Sequence, residues 1–201
     1  MLNRRSIGRF FSAGAVALFL ALVPTTGWGD SHLLPAAEPD DEGLYTQPWF
    51  LNSFFDLRED MAESAAEGKQ LVIIWEQRGC PYCREMHLVN FATPAIRDYV
   101  EANFEIVQMD LRGARQTTDF DGKAMTEREL AQRHGVRFTP TIQFFPETVA
   151  ELAGQAGKAA EVARMAGYFR PHPFLAMFKY VREKRYADGD FRSYLKTLPR
   201  I

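Results

Sequence analysis

Short apolar runs along the chain predict four strands. Each run is bounded by polar or turn-forming residues, a pattern typical of strands buried in a sheet. The runs cover residues 71–75, 105–111, 136–145 and 162–168. The third run contains Thr139-Pro140. Because the ladder of a central strand does not tolerate proline, we place Pro140 at the start of that strand, where a cis bond can be accommodated.

Apolar residues at helical spacing predict the elements between and around these strands. A first helix ends near Gly68, and its apolar face, which we assign to the core, carries Phe50, Phe54, Leu57 and Met61. Further helices are predicted after Cys83, from Thr93-Pro94, from the capping-box sequence at 126–129 and over the final stretch of the chain. The polar residues 112–125 are expected to form a surface loop.

The order of these elements predicts an α/β fold. The early strand–helix–strand alternation implies parallel pairing with a right-handed crossover, whereas the short connection between the last two strands implies antiparallel pairing. We therefore expect a central mixed β-sheet flanked by helices on both faces, with extra N- and C-terminal helices. A chain of 201 residues is long enough for one domain with a substantial core.

The first 29 residues have the layout of a secretory signal peptide. A basic start with Arg4, Arg5 and Arg9 precedes the apolar residues 10–23, and small residues follow before Asp30. The apolar stretch is shorter than the roughly 20 residues of a membrane span. Because the Gly-Trp-Gly sequence is not an ideal cleavage site, an uncleaved anchor stays open, and the paired arginines also leave a twin-arginine signal open.

This leader divides the chain into three parts. We assign residues 1–29 to the signal peptide, residues 30–46, rich in Pro, Asp, Glu and Ala, to an exposed linker, and residues 47–201 to the domain. The predicted location is the periplasm, where disulfides form and persist. Loss of the leader changes the formal charge from −2 to −5, which argues against nucleic acid as the main partner.

Cys80 and Cys83 are the only cysteines of the chain. They lie where the first predicted strand passes into a helix, and a Cys-x-x-Cys at such a junction is typical of a dithiol redox site. The helix N-terminus favours the nucleophilic thiolate at Cys80, to which Arg78 adds positive charge. Pro81 suits the first helical turn. Cys83, one turn further, is placed to attack a mixed disulfide formed at Cys80.

Two other interpretations of the cysteine pair were weighed. A purely structural disulfide across so short a loop removes little entropy from the unfolded chain. A zinc site could use Cys80, Cys83 and His87, but a closed structural site needs four ligands and the sequence has no second cysteine pair. We therefore favour the redox interpretation.

In these features the sequence resembles the thioredoxin superfamily. The order of strand, Cys-Pro-Tyr-Cys on a helix, and Thr139-Pro140 before a strand pair matches over residues 48–185. The sequence is most similar to the periplasmic thioredoxin-like proteins of sulfur-oxidation systems (SoxW type). The segments that carry this similarity are 75–87, 126–131, 139–141, 167–169 and 174–175.

The resemblance implies a thioredoxin-like fold and assigns roles to individual residues. It implies that Cys80 is the exposed nucleophile and Cys83 the buried resolving cysteine. Pro140 would be a cis-proline facing the disulfide, and the backbone of Thr139 would hold an extended substrate strand. It implies no cofactor beyond the redox-active Cys80–Cys83 disulfide.

The chain departs from thioredoxins proper at two positions. Those proteins have an aspartate six residues before the first cysteine, where this chain has Ile74, and a tryptophan where it has Gly79. Glu76 is the nearest acid and a candidate proton relay, with a solvated residue at the strand's end as the alternative. Between the cysteines, Pro81 and Tyr82 resemble the glutaredoxin pair and help to set how strongly the thiolate is stabilised.

Together these features predict a periplasmic thiol:disulfide oxidoreductase. We expect a monomer that takes electrons from a membrane thiol donor and reduces disulfides on proteins of sulfur oxidation or cytochrome c maturation. A disulfide oxidase or isomerase would use the same cysteines, and the direction depends on the redox potential relative to the compartment. A non-catalytic domain whose dithiol binds metal is the alternative from another class.

Overall fold

The structure of the protein, a computed structural model, describes residues 37–199. The predicted signal peptide (1–29) and the first part of the predicted linker lie outside the described residues. Within the described part of the chain, no helix is long and apolar enough to cross a membrane.

Within residues 37–199, six strands form two sheets. In chain order they are β1 (Gln70–Glu76), β2 (Phe104–Asp110), β3 (Gln116–Thr118), β4 (Ala124–Thr126), β5 (Thr141–Phe144) and β6 (Ala163–Ala166). The central sheet has the order β2-β1-β5-β6. Strand β1 pairs parallel with β2, whereas β5 pairs antiparallel with both β1 and β6. This mixed sheet confirms the α/β prediction, and β3 and β4 form a separate antiparallel pair.

Six α-helices accompany the strands in the same part of the chain. They are α1 (Leu57–Ala66), α2 (Pro81–Glu85), α3 (Pro94–Asn103), α4 (Glu127–Arg133), α5 (Pro171–Arg182) and α6 (Phe191–Thr197). A π-helical turn, Met86–Asn90, continues α2. Helix α4 begins at the predicted capping box of Thr126 and Glu129, and α2, α3 and α5 have proline in the first turn, where no N–H is required.

The two faces of β1 contribute to separate parts of the hydrophobic core. Val72 and Ile74 belong to the cluster that includes α3 and α5, and the residues between and beside them belong to the cluster that includes α1 and α4. This alternation follows from the two-residue period of a strand. A strand buried on both faces has a continuous apolar run, as the sequence shows. Helices therefore cover both faces of the sheet, as predicted.

The strand register brings three loops to one end of the sheet. Trp75, next to the end of β1, lies opposite Thr141, the first residue of β5. Thr141 in turn lies opposite Ala166, the last residue of β6. The loop after β1, the segment before β5 and the loop after β6 therefore meet at the same edge.

The first helix begins later than predicted. Asp56 caps α1, and its side chain accepts hydrogen bonds from the first backbone N–H groups of the helix at 3.1 Å. Phe55, with a φ of 65°, cannot belong to an α-helix. Phe50 and Phe54 therefore precede the helix. Phe54, which we assigned to the core, is 93% exposed, because the helical spacing was extended across residues whose backbone is not helical.

The predicted surface loop at 112–125 contains most of the hairpin formed by β3 and β4. Its turn lies at the Asp121-Gly122 signal, where Gly122 has a φ of 79° and its N–H donates to the carbonyl of Asp119 at 2.8 Å. The strands are only three residues long. Runs this short have too few residues for an alternation of apolar and polar positions to stand out.

Residues 37–46, which the sequence assigns to an exposed linker, lie against the domain. Asp40 accepts hydrogen bonds from the N–H groups of Glu42 and Leu44 at 2.9 Å, which forms a turn. Leu44 is buried. Because the segment is mostly polar, its composition did not indicate that Leu44 would be buried. We call residues 37–50 the N-terminal arm.

Asp60 of α1 provides a test of pH-dependent stability. Burial raises the pKa of Asp60 to about 6, although Ser53 donates a hydrogen bond to it at 2.6 Å. The folded state then binds more protons than the unfolded state, so stability falls as the pH rises from about 4 to about 6. Asp60→Asn cannot ionise, and we expect it to raise the free energy of unfolding by about 1–3 kcal/mol at pH 7.5.

Urea unfolding at pH 4 and pH 7.5 measures this difference. The matched control is Asp41→Asn, at an exposed position, which should change stability little at either pH. An Asp60→Asn variant that gains as much at pH 4 as at pH 7.5 would contradict the assignment to Asp60.

Candidate redox site

Cys80 and Cys83 form a disulfide at the N-terminus of α2. Cys80 is the N-cap residue, and its Sγ accepts a hydrogen bond from the backbone N–H of Cys83 at 3.1 Å. Pro81 fills the first helical position without removing a needed donor. The helix thus directs a backbone N–H and the positive end of its dipole at the Cys80 sulfur, which stabilises a thiolate there.

The two cysteines differ slightly in exposure. Cys80 is 7% exposed and Cys83 is 2% exposed. The resemblance implied an exposed Cys80, and in the disulfide form it is only the less buried of the two, since its sulfur is bonded to the buried Cys83. Pro81 and Tyr82 between them are exposed, so these two residues are the part of the motif that faces solvent.

A buried carboxylate–imidazole pair lies beside the redox motif. Glu76, the last residue of β1, and His87, in the π-helical turn, are both fully buried. His87 Nε2 lies 2.8 Å from Glu76 Oε1. The other carboxylate oxygen, Oε2, accepts a hydrogen bond from Gln108 Nε2 at 3.1 Å, and Gln47 Nε2 donates to His87 Nδ1 at 3.2 Å. Each polar group of the pair is therefore satisfied within the protein.

This arrangement bears on two sequence-based hypotheses. Glu76 is not the solvated residue that we weighed as the alternative to a proton relay. Both of its oxygens already accept hydrogen bonds, and its role as a relay stays a prediction. His87, a candidate zinc ligand, uses both ring nitrogens on Glu76 and Gln47. Across residues 37–199, no group of three or more His, Cys, Asp or Glu side chains is arranged to bind a metal ion.

Arg78 lies in the loop between β1 and the cysteines. Its side chain is exposed, and its Nε donates to the carbonyl oxygen of Glu42 in the N-terminal arm at 2.7 Å. The guanidinium therefore keeps its charge close to the redox loop while one donor holds the arm. Arg84, in α2, is also exposed.

Aromatic residues line one side of the motif. Tyr82 is 60% exposed and stacks on Tyr168, with ring centroids 6.3 Å apart. Together with Pro81 and Glu85 these rings line a pocket of about 380 Å³. Burial and the nearby Glu85 carboxylate raise the pKa of Tyr168. Its hydroxyl therefore stays protonated and donates to Asn90 Oδ1 at 3.2 Å.

Thr139 and Pro140 lie at the same edge of the sheet. The Thr139–Pro140 peptide bond is cis, and the Pro140 carbonyl accepts a hydrogen bond from the N–H of Gly167 at 2.9 Å. Thr139 is partly exposed and Phe138 is 52% exposed. The segment before β5 and the loop after β6 are thus joined to each other, and the loop after β6 reaches the motif through Tyr168.

A second buried polar cluster lies away from the cysteines, around Asp119 and His134. Asp119 Oδ1 lies 3.2 Å from His134 Nε2, and Arg133 Nη1 lies 2.8 Å from Asp119 Oδ2. Burial alone would raise the pKa of Asp119, but the hydrogen bond and charge of His134 and the charge of Arg133 lower it. This cluster ties the β3–β4 hairpin to α4, a structural task separate from the redox site.

The family follows from a sequence comparison. A family model described as a thioredoxin-like domain matches residues 57–182. The chain belongs to the thioredoxin-like family. No curated protein matches the sequence.

A solved thioredoxin structure shows the same fold. A thioredoxin from Thermus thermophilus is 26% identical with a TM-score of 0.50, over 68% of this chain and 91% of that one. A thioredoxin-fold protein from Helicobacter pylori is 19% identical with a TM-score of 0.48, over 71% of this chain and 94% of that one. The family model and the Thermus thermophilus structure confirm the superfamily resemblance, whereas the SoxW type stays a prediction. A thioredoxin-like domain with this disulfide-forming pair supports thiol–disulfide oxidoreductase chemistry.

Sequence reasoning missed four residues that surround the motif. Each is distant in sequence from the cysteines or was assigned to another role; they are Gln47, Asn90, Gln108 and Tyr168. Signals were available for Asn90, which follows Cys83 in the π-helical turn, and for Tyr168, which lies in a segment that carries the family resemblance. The others reach the site through strand pairing and through the folding back of the arm.

The Glu76–His87 pair predicts a large effect of removing one partner. Glu76→Leu leaves His87 Nε2 without its partner in the interior and removes one of the two acceptors of Gln108 Nε2. We expect the free energy of unfolding to fall by about 2–4 kcal/mol. The double variant Glu76→Leu/His87→Phe should regain part of that loss, because it removes the orphaned imidazole as well.

Chemical denaturation of the oxidised protein gives these values. The matched control is Glu101→Leu at an exposed site of α3, expected to change stability by no more than about 0.5 kcal/mol. A Glu76→Leu variant as stable as that control would show that the pair does not matter for folding.

Proposed function

We propose that this protein is a periplasmic thiol:disulfide reductase that reduces disulfides on other exported proteins. The observation that carries the proposal is Cys80 at the N-cap of α2, with its sulfur accepting the N–H of Cys83 at 3.1 Å. This geometry stabilises the Cys80 thiolate, and the thiolate is the attacking species in disulfide exchange. The signal-peptide layout of residues 1–29 supports export.

The reaction transfers two electrons through the cysteine pair. The Cys80 thiolate attacks one sulfur of a substrate disulfide, forms a mixed disulfide and releases the other substrate sulfur as a thiolate. Cys83, deprotonated, then attacks the Cys80 sulfur and releases the second substrate thiolate. The substrate gains two electrons and the protein is left with the Cys80–Cys83 disulfide. A membrane dithiol donor, oxidised in turn, would restore the reduced pair.

Residues around the motif suit an extended protein substrate. The partly exposed Thr139 offers backbone groups beside the motif, and the pocket lined by Tyr82 and Tyr168 offers apolar contact. A chain that carries a disulfide could place its backbone along Thr139 and a side chain in this pocket. Sulfur-oxidation or cytochrome-maturation proteins are the substrate class suggested by the resemblance to SoxW-type proteins.

Trapping distinguishes the roles of the two cysteines. In Cys83→Ser the mixed disulfide at Cys80 cannot be resolved, so we expect covalent complexes with partner proteins that are released by reductant. Cys80→Ser, the matched control, should trap few or none because Cys83 is more deeply buried and lacks the N-cap position. Complexes should be found in the periplasmic fraction of the producing cell. Equal trapping by both variants would contradict the assignment, and complexes confined to the cytoplasm would contradict export.

The reduction potential decides the direction of electron flow. The reduction potential is about −270 mV for thioredoxin, roughly −200 to −230 mV for glutaredoxins and about −120 mV for a strong periplasmic oxidant. We expect a value of roughly −200 to −260 mV, because the Pro81-Tyr82 pair resembles that of glutaredoxins while the fold is that of a thioredoxin. Equilibration with glutathione buffers and mass analysis after thiol trapping measures it. A value near about −120 mV would favour the oxidase instead.

A further inference from the structure

The N-terminal arm completes the hydrogen bonding of the buried pair beside the redox motif. Gln47, buried in the arm, donates to His87 Nδ1 at 3.2 Å. The carbonyl of Tyr45 accepts a hydrogen bond from Gln108 Nε2, which also donates to Glu76. The arm precedes residues 57–182, which match the family domain. The arm therefore adds these two contacts to a redox site whose other residues belong to the family domain.

The same arm also holds the loop that carries the cysteines. Arg78 Nε donates to the carbonyl of Glu42 at 2.7 Å. A Cβ added to Gly43, which has a φ of 79°, would lie 3.0 Å from Arg78 Cγ. The backbone conformation therefore favours glycine at this position, and a larger residue would also require the Arg78 side chain to shift.

These contacts close the base of the segment that contains the redox motif. Glu76 directly precedes the segment 77–86 and His87 directly follows it, so the 2.8 Å contact between them joins the two ends. Gln47 fixes the remaining nitrogen of His87 and so the orientation of the ring. The Glu76–His87 pair thus holds both ends of the segment that contains the motif, and Gln47 of the arm supplies the remaining hydrogen bond of His87.

We propose that Gln47 is a positioning residue of the redox site, acting through His87 on the stability of the reduced Cys80. The proposal rests on the proposed thiol–disulfide exchange. In the oxidised protein the Cys80–Cys83 bond itself constrains the segment. In the reduced protein only non-covalent contacts keep Cys80 at the N-cap, where the helix stabilises its thiolate. Loosening the arm therefore costs the reduced form more than the oxidised form.

The test is Gln47→Ala in the full chain. We expect the equilibrium with glutathione to shift toward the oxidised protein by roughly three- to tenfold, since a buried hydrogen bond is lost in the state that depends on it. Alkylation of Cys80 at pH 6.5 should slow, because less thiolate is present. The matched control, Gln155→Ala at an exposed position, should leave both measurements unchanged.

Stability measurements separate positioning from a merely structural role. Denaturation of the oxidised and the reduced Gln47→Ala protein should show a larger loss of unfolding free energy in the reduced form. The difference between the two losses should equal RT times the logarithm of the shift in the glutathione equilibrium. A structural role alone would lower both forms equally and leave the glutathione equilibrium unchanged, which would overturn the proposal. A shift toward the reduced protein would overturn it as well.

A double-variant cycle tests whether Gln47 acts through His87. In a His87→Phe background, Gln47→Ala should change the glutathione equilibrium by less than about twofold, because the contact it removes is already absent. An undiminished shift in that background would overturn the coupling. A wild-type protein that does not equilibrate with glutathione would instead refute the proposed function, so the two failures are distinguishable.

Discussion

A helix whose N-cap is Cys80 is the constraint on which the redox site depends. Backbone N–H groups in the first turn of a helix have no partner within it, and here the N–H of Cys83 is directed at the Cys80 sulfur. The chain must therefore leave β1 and turn within a few residues, and Pro81 starts the helix without using a donor. The register of β1 with β5, and of β5 with β6, then brings Thr139, Pro140 and Tyr168 to the same edge.

Ending β1 at Glu76 places a carboxylate in the interior. Val72, Ile74 and Glu76 lie on the same face of the strand, because side chains two residues apart point to the same side. The apolar residues of this face form part of the core with α3 and α5. An unpaired carboxylate would be strongly unfavourable there. The π-helical turn after α2 presents His87, and β2 presents Gln108, as donors to its two oxygens. The turn has the wider helical spacing that is frequent at functional sites.

Most of the fold could be predicted because it depends on local patterns. The apolar run 71–75 of β1, the capping box of α4 and the cysteine motif each lie within a few residues of sequence. The misplaced start of α1 came from Phe54, an apolar residue that is exposed, and no spacing rule separates it from a core residue. The hydrogen bonds of the Glu76–His87 pair could not be predicted either. Gln108, which donates to Glu76, lies 32 residues from it, and Gln47, which donates to His87, lies 40 residues from it.

We expect the redox change to act locally, because the disulfide contributes little to the stability of the fold. The bond joins residues only three apart, and closing so short a loop removes little entropy from the unfolded chain. The two apolar clusters on either face of the sheet are built mostly from residues outside the motif. We therefore expect reduction to leave the core intact. On this argument the two redox states differ in the freedom of the segment from Gln77 to Met86, and the contacts at its ends limit that freedom in the reduced protein.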